Sequence, residues 1–353
     1  MYIIFYIKKI SKASTAPNKN FENLDKPQKL PTHEHAMDGV YFNGSSIQGD
    51  RFSMAMNRRN GNEIETYIFV KIASLEGTLV NVDNPNASLN KGEDDSFSAE
   101  GFNIVSIIPT KKWKITYNGK MKNAENAQIH NVHLNLDFFS NLSIFDYGTD
   151  FDHLSHAKAL ALELWSGAYF DILKEFHLMC YGQFSKLKGK VSVDVKEYEL
   201  KMDSYRDHTV ADNFNWATYH RYITHYINVE NGDRFVITKL SQPVVTSNFS
   251  QGFMYNASDK KYYPLQKCNL ELYQHGETEK PPVDYAFLFA AGGREFTIQI
   301  KVEDSIPAYL GKNWDCKLLE RFCSADVNGK KGWGSCQWLY RNVYGKSILS
   351  KTL

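Results

Sequence analysis

The densest polar stretch of the chain is Arg206-Asp207-His208-Thr209, followed by Trp216 and then Tyr219-His220-Arg221-Tyr222. It offers a fixed cation, a carboxylate and a titratable ring within one turn or bulge. A carboxylate beside arginine stays ionised, and histidine moves protons near neutral pH. In the strand expected next, His220, Tyr222, Thr224 and Tyr226 share one face, and Tyr219, Arg221, Ile223, His225 and Ile227 the other. Either face suits a pocket with aromatic walls and a few polar groups. A second cluster, residues 333–342, reads as a closing strand with Trp338 and Tyr340 on one face and Arg341 on the other. A structural reading competes throughout: Arg–Asp pairs and buried tyrosines also tie down the corners of β barrels, and Trp338 and Tyr340 suit barrel closure.

Other chemistry is excluded or weak. His33-x-His35 puts two imidazoles on one face of a strand, with Asp38 as a third candidate ligand, but no distant partner completes a metal site and none is expected. Gly44 to Gly49 has phosphate-loop spacing but is followed by Asp50, without the lysine and hydroxyl that a phosphate requires. No Gly-x-Gly-x-x-Gly opens a helix and no Gly-x-Ser-x-Gly elbow occurs, so no cofactor is expected. Lys+Arg 41 against Asp+Glu 40 leaves a formal charge of +1, which argues against a nucleic-acid partner. Cys180, Cys268, Cys316, Cys323 and Cys336 form no Cys-x-x-Cys pair, so neither a zinc ribbon nor a disulfide framework is indicated. Asn-x-Ser sequons at Asn43, Asn86, Asn141, Asn248 and Asn256 do not establish secretion in an Asn-rich chain. Membrane contact is expected only through the apolar stub at residues 1–9, whose run of about six residues falls short of the ~20 a span needs. A cytoplasmic protein is the expectation, with a secretory or membrane-anchored form left open.

The elements that must hold these residues are mostly strands. Of the 353 residues, 14% are aromatic, a content that favours strands and large pockets. Val132, Leu134 and Leu136 alternate with polar residues, as do Phe296, Ile298, Ile300 and Val302, and Asn231-Gly232 signals a hairpin. Residues 81–98 read as an exposed loop. Residues 153–180 break the texture, with Asp152 or Ser155 as cap and Leu160, Leu164, Ala168 and Leu173 near helical spacing, so one long helix is expected. The organisation is therefore a disordered or truncated tail at 1–32, a β domain at 33–152, a bridging helix at 153–180 and a second β domain at 181–345. The fold class is mainly β, two antiparallel barrels or sandwiches bridged by a helix.

The run Arg206-Asp207-His208-Thr209, with Trp216 and His220-Arg221-Tyr222, resembles the Arg-Asp-His-Ser signature of the carotenoid-hydratase/AttH-like superfamily. That resemblance implies two lipocalin-like barrels. The chain is similar also to the region that precedes the nucleotide-binding and phosphohistidine domains of animal phosphoenolpyruvate synthase-like, or rifampicin phosphotransferase-like, proteins. The matching stretches are 33–38, 99–101, 113–117, 273–277 and 338–342. The superfamily signature continues with an aromatic residue, Gly and Arg before the Trp, whereas this chain has Val210-Ala211-Asp212-Asn213-Phe214. Three functions follow as expectations. The first is a module binding an apolar small molecule (lipid, isoprenoid or polyene), with Trp216, His220, Tyr222, Trp338 and Tyr340 lining its cavity. The second is a hydratase or cyclase in which Asp207 protonates a double bond, His208 adjusts its protonation, and Tyr222 or Trp216 stabilises the carbocation. Arg206, the third member of this catalytic set, argues against the acid role because its charge would lower the Asp207 pKa. The third is an accessory domain whose partner is a phosphotransferase domain or protein.

Overall fold

The computed structural model describes residues 20–345, apart from 94, 244 and 277–278, as two compact units. The first comprises residues 20–145 and 178–214. Its strands are β1 (Met37–Ser45), β2 (Arg51–Arg59), β3 (Glu63–Lys71), β4 (Leu79–Asn81), β5 (Ser88–Lys91), β6 (Phe97–Ala99), β7 (Phe102–Ile108), β8 (Lys112–Asn123) and β9 (Ile129–Phe139), then β11 (Leu178–Val193) and β12 (Lys196–Ala211) after the two-residue β10 (Phe145–Asp146). Antiparallel pairing runs β11-β12-β1-β2-β3-β4-β8-β9 and returns from β9 to β11, so the pairings form a ring. The short β5 pairs with β3, and β6 and β7 extend from β8. Alternation explains the filling. Val132, Leu134, Leu136 and Phe138 of β9 are buried while His133, Asn135 and Asp137 between them are not. Phe42, Phe52, Trp113, Phe138 and Leu187 occupy the interior.

The second unit comprises residues 146–177 and 215–345. Its strands β13 (Arg221–Val229), β14 (Arg234–Gln242), β15 (Thr246–Asn256), β16 (Lys261–Cys268), β17 (Asp284–Ala291), β18 (Arg294–Leu310), β19 (Cys316–Val327) and β20 (Lys330–Arg341) each pair with the next, and β20 pairs with β13. This is a closed eight-stranded antiparallel barrel, and its size leaves room for side chains or one small ligand. Ile223, Ile227, Phe235, Phe287, Phe289, Ile298 and Trp338 fill its core. The Asn231-Gly232 turn joins β13 to β14 as expected, with Gly232 at φ +88°.

Four expectations are corrected. The single long helix at 153–180 is two nine-residue helices, α2 (His153–Ala161) and α3 (Gly167–Glu175), numbered after the four-residue α1 (Phe21–Leu24). Asp152 caps α2 through the Ser155 amide at 2.7 Å. Ser166 is extended and Gly167 opens α3 without a side chain to favour helix. Leu164, assigned by spacing to the buried stripe, is 96% exposed. Second, residues 178–180 were expected in the bridging helix and 181–214 in the second domain, but they pair with β1 and β9 of the first unit and carry Arg206, Asp207 and His208 with them. Third, the described part of the 1–32 tail is tied down, because Asp25 is wholly buried; the apolar stub at 1–9 lies outside the described residues. Fourth, the 81–98 loop contains β5 and part of β6. Among the described residues no helix is long and apolar enough to cross a membrane.

Barrel closure depends on close backbone approach at glycine. A Cβ on Gly334 would overlap the carbonyl oxygen of Tyr226 across the β13–β20 seam. Gly334→Ala is expected to cost about 3 kcal/mol in urea unfolding, whereas Gly329→Ala, where nothing lies within 4 Å but φ is +78°, pays only the backbone strain of about 1 kcal/mol.

Candidate functional site

Strand alternation divides the Arg-Asp-His run. Arg206 and His208 point into the first ring, and Asp207 points to its opposite face. Inside, Arg206 Nη1 lies 2.8 Å from Asp25 Oδ1, and its Nε and Nη2 donate to Gln183 Oε1 at 3.3 and 3.2 Å. The guanidinium stacks on Trp113, 5.1 Å from the ring centroid. Asp25 also accepts from the Trp113 indole (3.1 Å), the Thr110 amide (2.6 Å) and the Tyr181 hydroxyl (3.0 Å). Tyr181 continues to His208 Nδ1 at 2.9 Å, and His208 Nε2 meets Asp38 Oδ1 at 2.6 Å. Asp38 Oδ2 in turn receives Arg58 Nη1 at 2.6 Å and the Gln28 amide at 2.7 Å. The Tyr181 hydroxyl and the Asp38 carboxylate thus hold the two ring nitrogens of His208 from opposite sides. Burial, then the Asp25 charge, pushes the Tyr181 phenol far above its ordinary range, so it stays a proton donor.

Asp207 has different surroundings. Its register partners are Tyr41 on β1 and Gly182 on β11. The Tyr205 ring lies across Gly182, where a Cβ would overlap the phenol, and packs on Phe184 at 5.5 Å. Thr209 Oγ1, on the same face, donates to Cys180 Sγ at 3.2 Å. Asp207 has no hydrogen-bond or ion-pair partner among the described residues. Burial pushes its carboxyl up to about 7, opposed by the Arg206 charge. The side chain keeps partial solvent contact, which trims the rise. Burial still wins, because Arg206 is held on the opposite face by its own carboxylate. The arrangement is a recessed, unpaired carboxyl with Tyr41 beside it on β1 and the Tyr205 ring across Gly182 on β11.

The other expected site residues lie in the second unit and on different faces of it. Trp216, in a short 3₁₀ turn, packs on Tyr219 at 5.9 Å and its carbonyl accepts from Cys316 Sγ at 3.1 Å. His220 is exposed, and the Tyr222 hydroxyl reaches Gln337 Oε1 at 3.4 Å. Trp338 and Tyr340 sit inside the barrel, Tyr340 beneath Arg221 at 5.0 Å. Tyr222 and Trp338 therefore do not share one cavity wall. His33 Nδ1 accepts from the His35 amide at 3.1 Å, and among the described residues no three His, Cys, Asp or Glu side chains are placed to hold a metal. Asp38, read from sequence as a third ligand, serves His208 and Arg58. Asp25, Tyr41, Tyr181 and Tyr205 had not been singled out. Period-two alternation through 204–209 was the available signal for Tyr205.

Residues 1–340 match the model of a family of unknown function, DUF8627. No curated protein is similar enough in sequence to match. Solved structures share the fold, among them an AttH-type protein and a hydratase. An AttH-type protein from Nitrosomonas europaea has a TM-score of 0.51 and 9% identity, over 89% of this chain and 98% of its own. Kievitone hydratase from Nectria haematococca has a TM-score of 0.50 and 10% identity, over 94% of each chain.

Two outcomes are expected. Asp25→Ala leaves Arg206 buried without its counter-ion and costs about 3–5 kcal/mol, while Asp25→Leu combined with Arg206→Met costs less, as urea unfolding reads out. The folded-state pKa of Asp207 is raised, so its protonated form stabilises the fold fully below the unfolded pKa, about 4, and that contribution is lost as pH rises through about 7. Asp207→Asn is therefore expected to gain about 1–2 kcal/mol over the native chain at pH 8, allowing for the carboxyl's solvent contact, and almost nothing at pH 4.

Proposed function

The chain belongs to DUF8627, a family of unknown function, and we propose that it is a hydratase- or cyclase-type enzyme that protonates a carbon–carbon double bond of an apolar substrate. The observation that carries this reading is the division of Arg206 from Asp207. A carboxyl beside arginine in sequence is expected to be ionised, but in the fold the arginine is spent on Asp25 and Gln183. Asp207 is left unpaired and able to hold a proton near neutrality. In the proposed step the alkene π pair takes the Asp207 proton and leaves a carbocation on the neighbouring carbon. Tyr41 and Tyr205 offer π faces to that charge. Water adds to the cation and its surplus proton returns to the Asp207 carboxylate, giving an alcohol; attack by a second double bond instead closes a ring and moves the charge to a further carbon, whose neighbouring C–H gives its proton to the Asp207 carboxylate and leaves a new alkene.

One solved structure with this fold is a hydratase, kievitone hydratase from Nectria haematococca, which supports the class without naming a substrate for this chain. His208 takes no direct part in this reading, because it faces the filled interior. Trp216 and Tyr222 are given none. Simple carriage of an apolar molecule is a second reading that the AttH-type likeness admits coarsely, but the side chains packed through both interiors do not favour it. No observation favours the accessory role beside a phosphotransferase.

The test is deuterium exchange. The purified chain is incubated in D2O with farnesol, β-carotene and a prenylated phenol, and the recovered substrate and product are weighed by mass spectrometry. The native chain is expected to place deuterium in at least one of them, and Asp207→Asn to lower that rate by about 10²–10⁴-fold. The rate should fall as pH rises above about 7, where the acid loses its proton. A folded Asp207→Asn chain that exchanges at the native rate contradicts the assignment.

A further inference from the structure

The second barrel also contains a buried arginine. Arg321 lies on β19 between the inward-facing Leu319 and Cys323 and is 1% exposed. Its Nη2 donates to the carbonyl oxygens of Pro282 at 2.8 Å and Pro281 at 3.4 Å, and its guanidinium carbon is 5.5 Å from the Trp338 ring centroid. Its Nε and Nη1 are buried without a hydrogen-bond partner, and no carboxylate among the described residues pairs with it. A buried charge left so costs several kcal/mol by general desolvation arguments.

The neighbouring His225 and Tyr285 do not repay that cost. His225 Nδ1 donates to the Ile237 carbonyl at 3.3 Å and its Nε2 faces the Tyr285 hydroxyl at 2.9 Å. Burial holds His225 down to about 3, and therefore neutral, with the Arg321 charge acting in the same direction. Tyr285 is pushed well above its ordinary range by burial and remains a neutral phenol. An inward group that could carry negative charge is Cys336, the register partner of Arg321 on β20. Burial raises its thiol, while contact with Cys323 and the Arg321 charge more than offset that.

The first unit shows a completed version of the same arrangement. Arg206 is equally buried, stacks on Trp113, and has Asp25 at 2.8 Å. We propose that the second barrel binds a small organic carboxylate from solution, seated on Arg321 Nε and Nη1 in the role that Asp25 plays for Arg206. The ligand is short because Phe235, Phe287, Phe289 and Trp338 already occupy the interior. An eight-stranded barrel has room for side chains or one small ligand, and not for both in full.

The test uses the full chain at pH 7 with sodium propionate and sodium benzoate, against sodium chloride at equal ionic strength. At least one carboxylate is expected to bind one-to-one by calorimetry and to raise Tm with the logarithm of its concentration. Arg321→Met should lose that response while having, without ligand, a Tm no lower than the native chain's, since it removes an unpaired buried charge. Should Arg321→Met fail to fold, ¹³C-labelled propionate on the native chain should show nuclear Overhauser contacts to the Trp338 indole, and their absence overturns the site. The proposal is also overturned if neither carboxylate binds, or if a folded Arg321→Met binds as well as the native chain. A thiolate absorbance near 240 nm at pH 7 that disappears in Cys336→Ser would overturn it too, because the counter-ion would then be internal.

Discussion

A guanidinium placed inside a filled β ring must be met there by negative charge, and in the first unit Arg206 is met by Asp25. That requirement brings the segment before β1 to the ring, since Asp25 is separated from Arg206 by 181 positions of sequence. It also fixes Trp113, Thr110 and Tyr181, each of which gives Asp25 a hydrogen bond. The line of contacts then runs through His208 and Asp38 to Arg58, so charges from β1, β2 and β12 are satisfied together. Partly satisfied networks of this kind are costly, which gives the fold a strong reason to form this arrangement rather than a shifted register.

The same constraint acts on the opposite face of β12. Because Arg206 is committed inward, its charge reaches Asp207 only across the strand, and burial controls that carboxyl. Adjacent residues of one sequence motif thus become a structural ion pair and a candidate acid. The pleat of a single strand is sufficient to separate them. The proposed chemistry therefore depends on Asp25, a residue that would touch no substrate.

Much of the β architecture was legible. The alternation at 132–138 and 296–302 and the Asn231-Gly232 turn read directly into β9, β18 and the β13–β14 hairpin, because local periodicity encodes which side faces a core. The helix was misread because Leu160 and Leu164 satisfy helical spacing, whereas Ser166 and Gly167 favour a break whose effect depends on tertiary packing. The domain boundary was misplaced because which strands pair with β11 and β12 is a long-range choice that no local pattern records. At the site, the motif at 206–209 was visible, but reading it as a turn or bulge put Arg206 beside Asp207. Read as a strand, it separates the two. Asp25 and Asp38, as partners of Arg206 and His208, had no local signal at all.

The central claim is that Asp207 holds its proton near neutrality despite its neighbour in sequence. Carbon-13 carboxyl NMR of the aspartate-labelled chain, with Asp207→Asn to assign the resonance, measures this directly. The account predicts a titration midpoint near 7 for Asp207. A midpoint at or below about 4, the ordinary range of a solvated or arginine-paired aspartate, would contradict it.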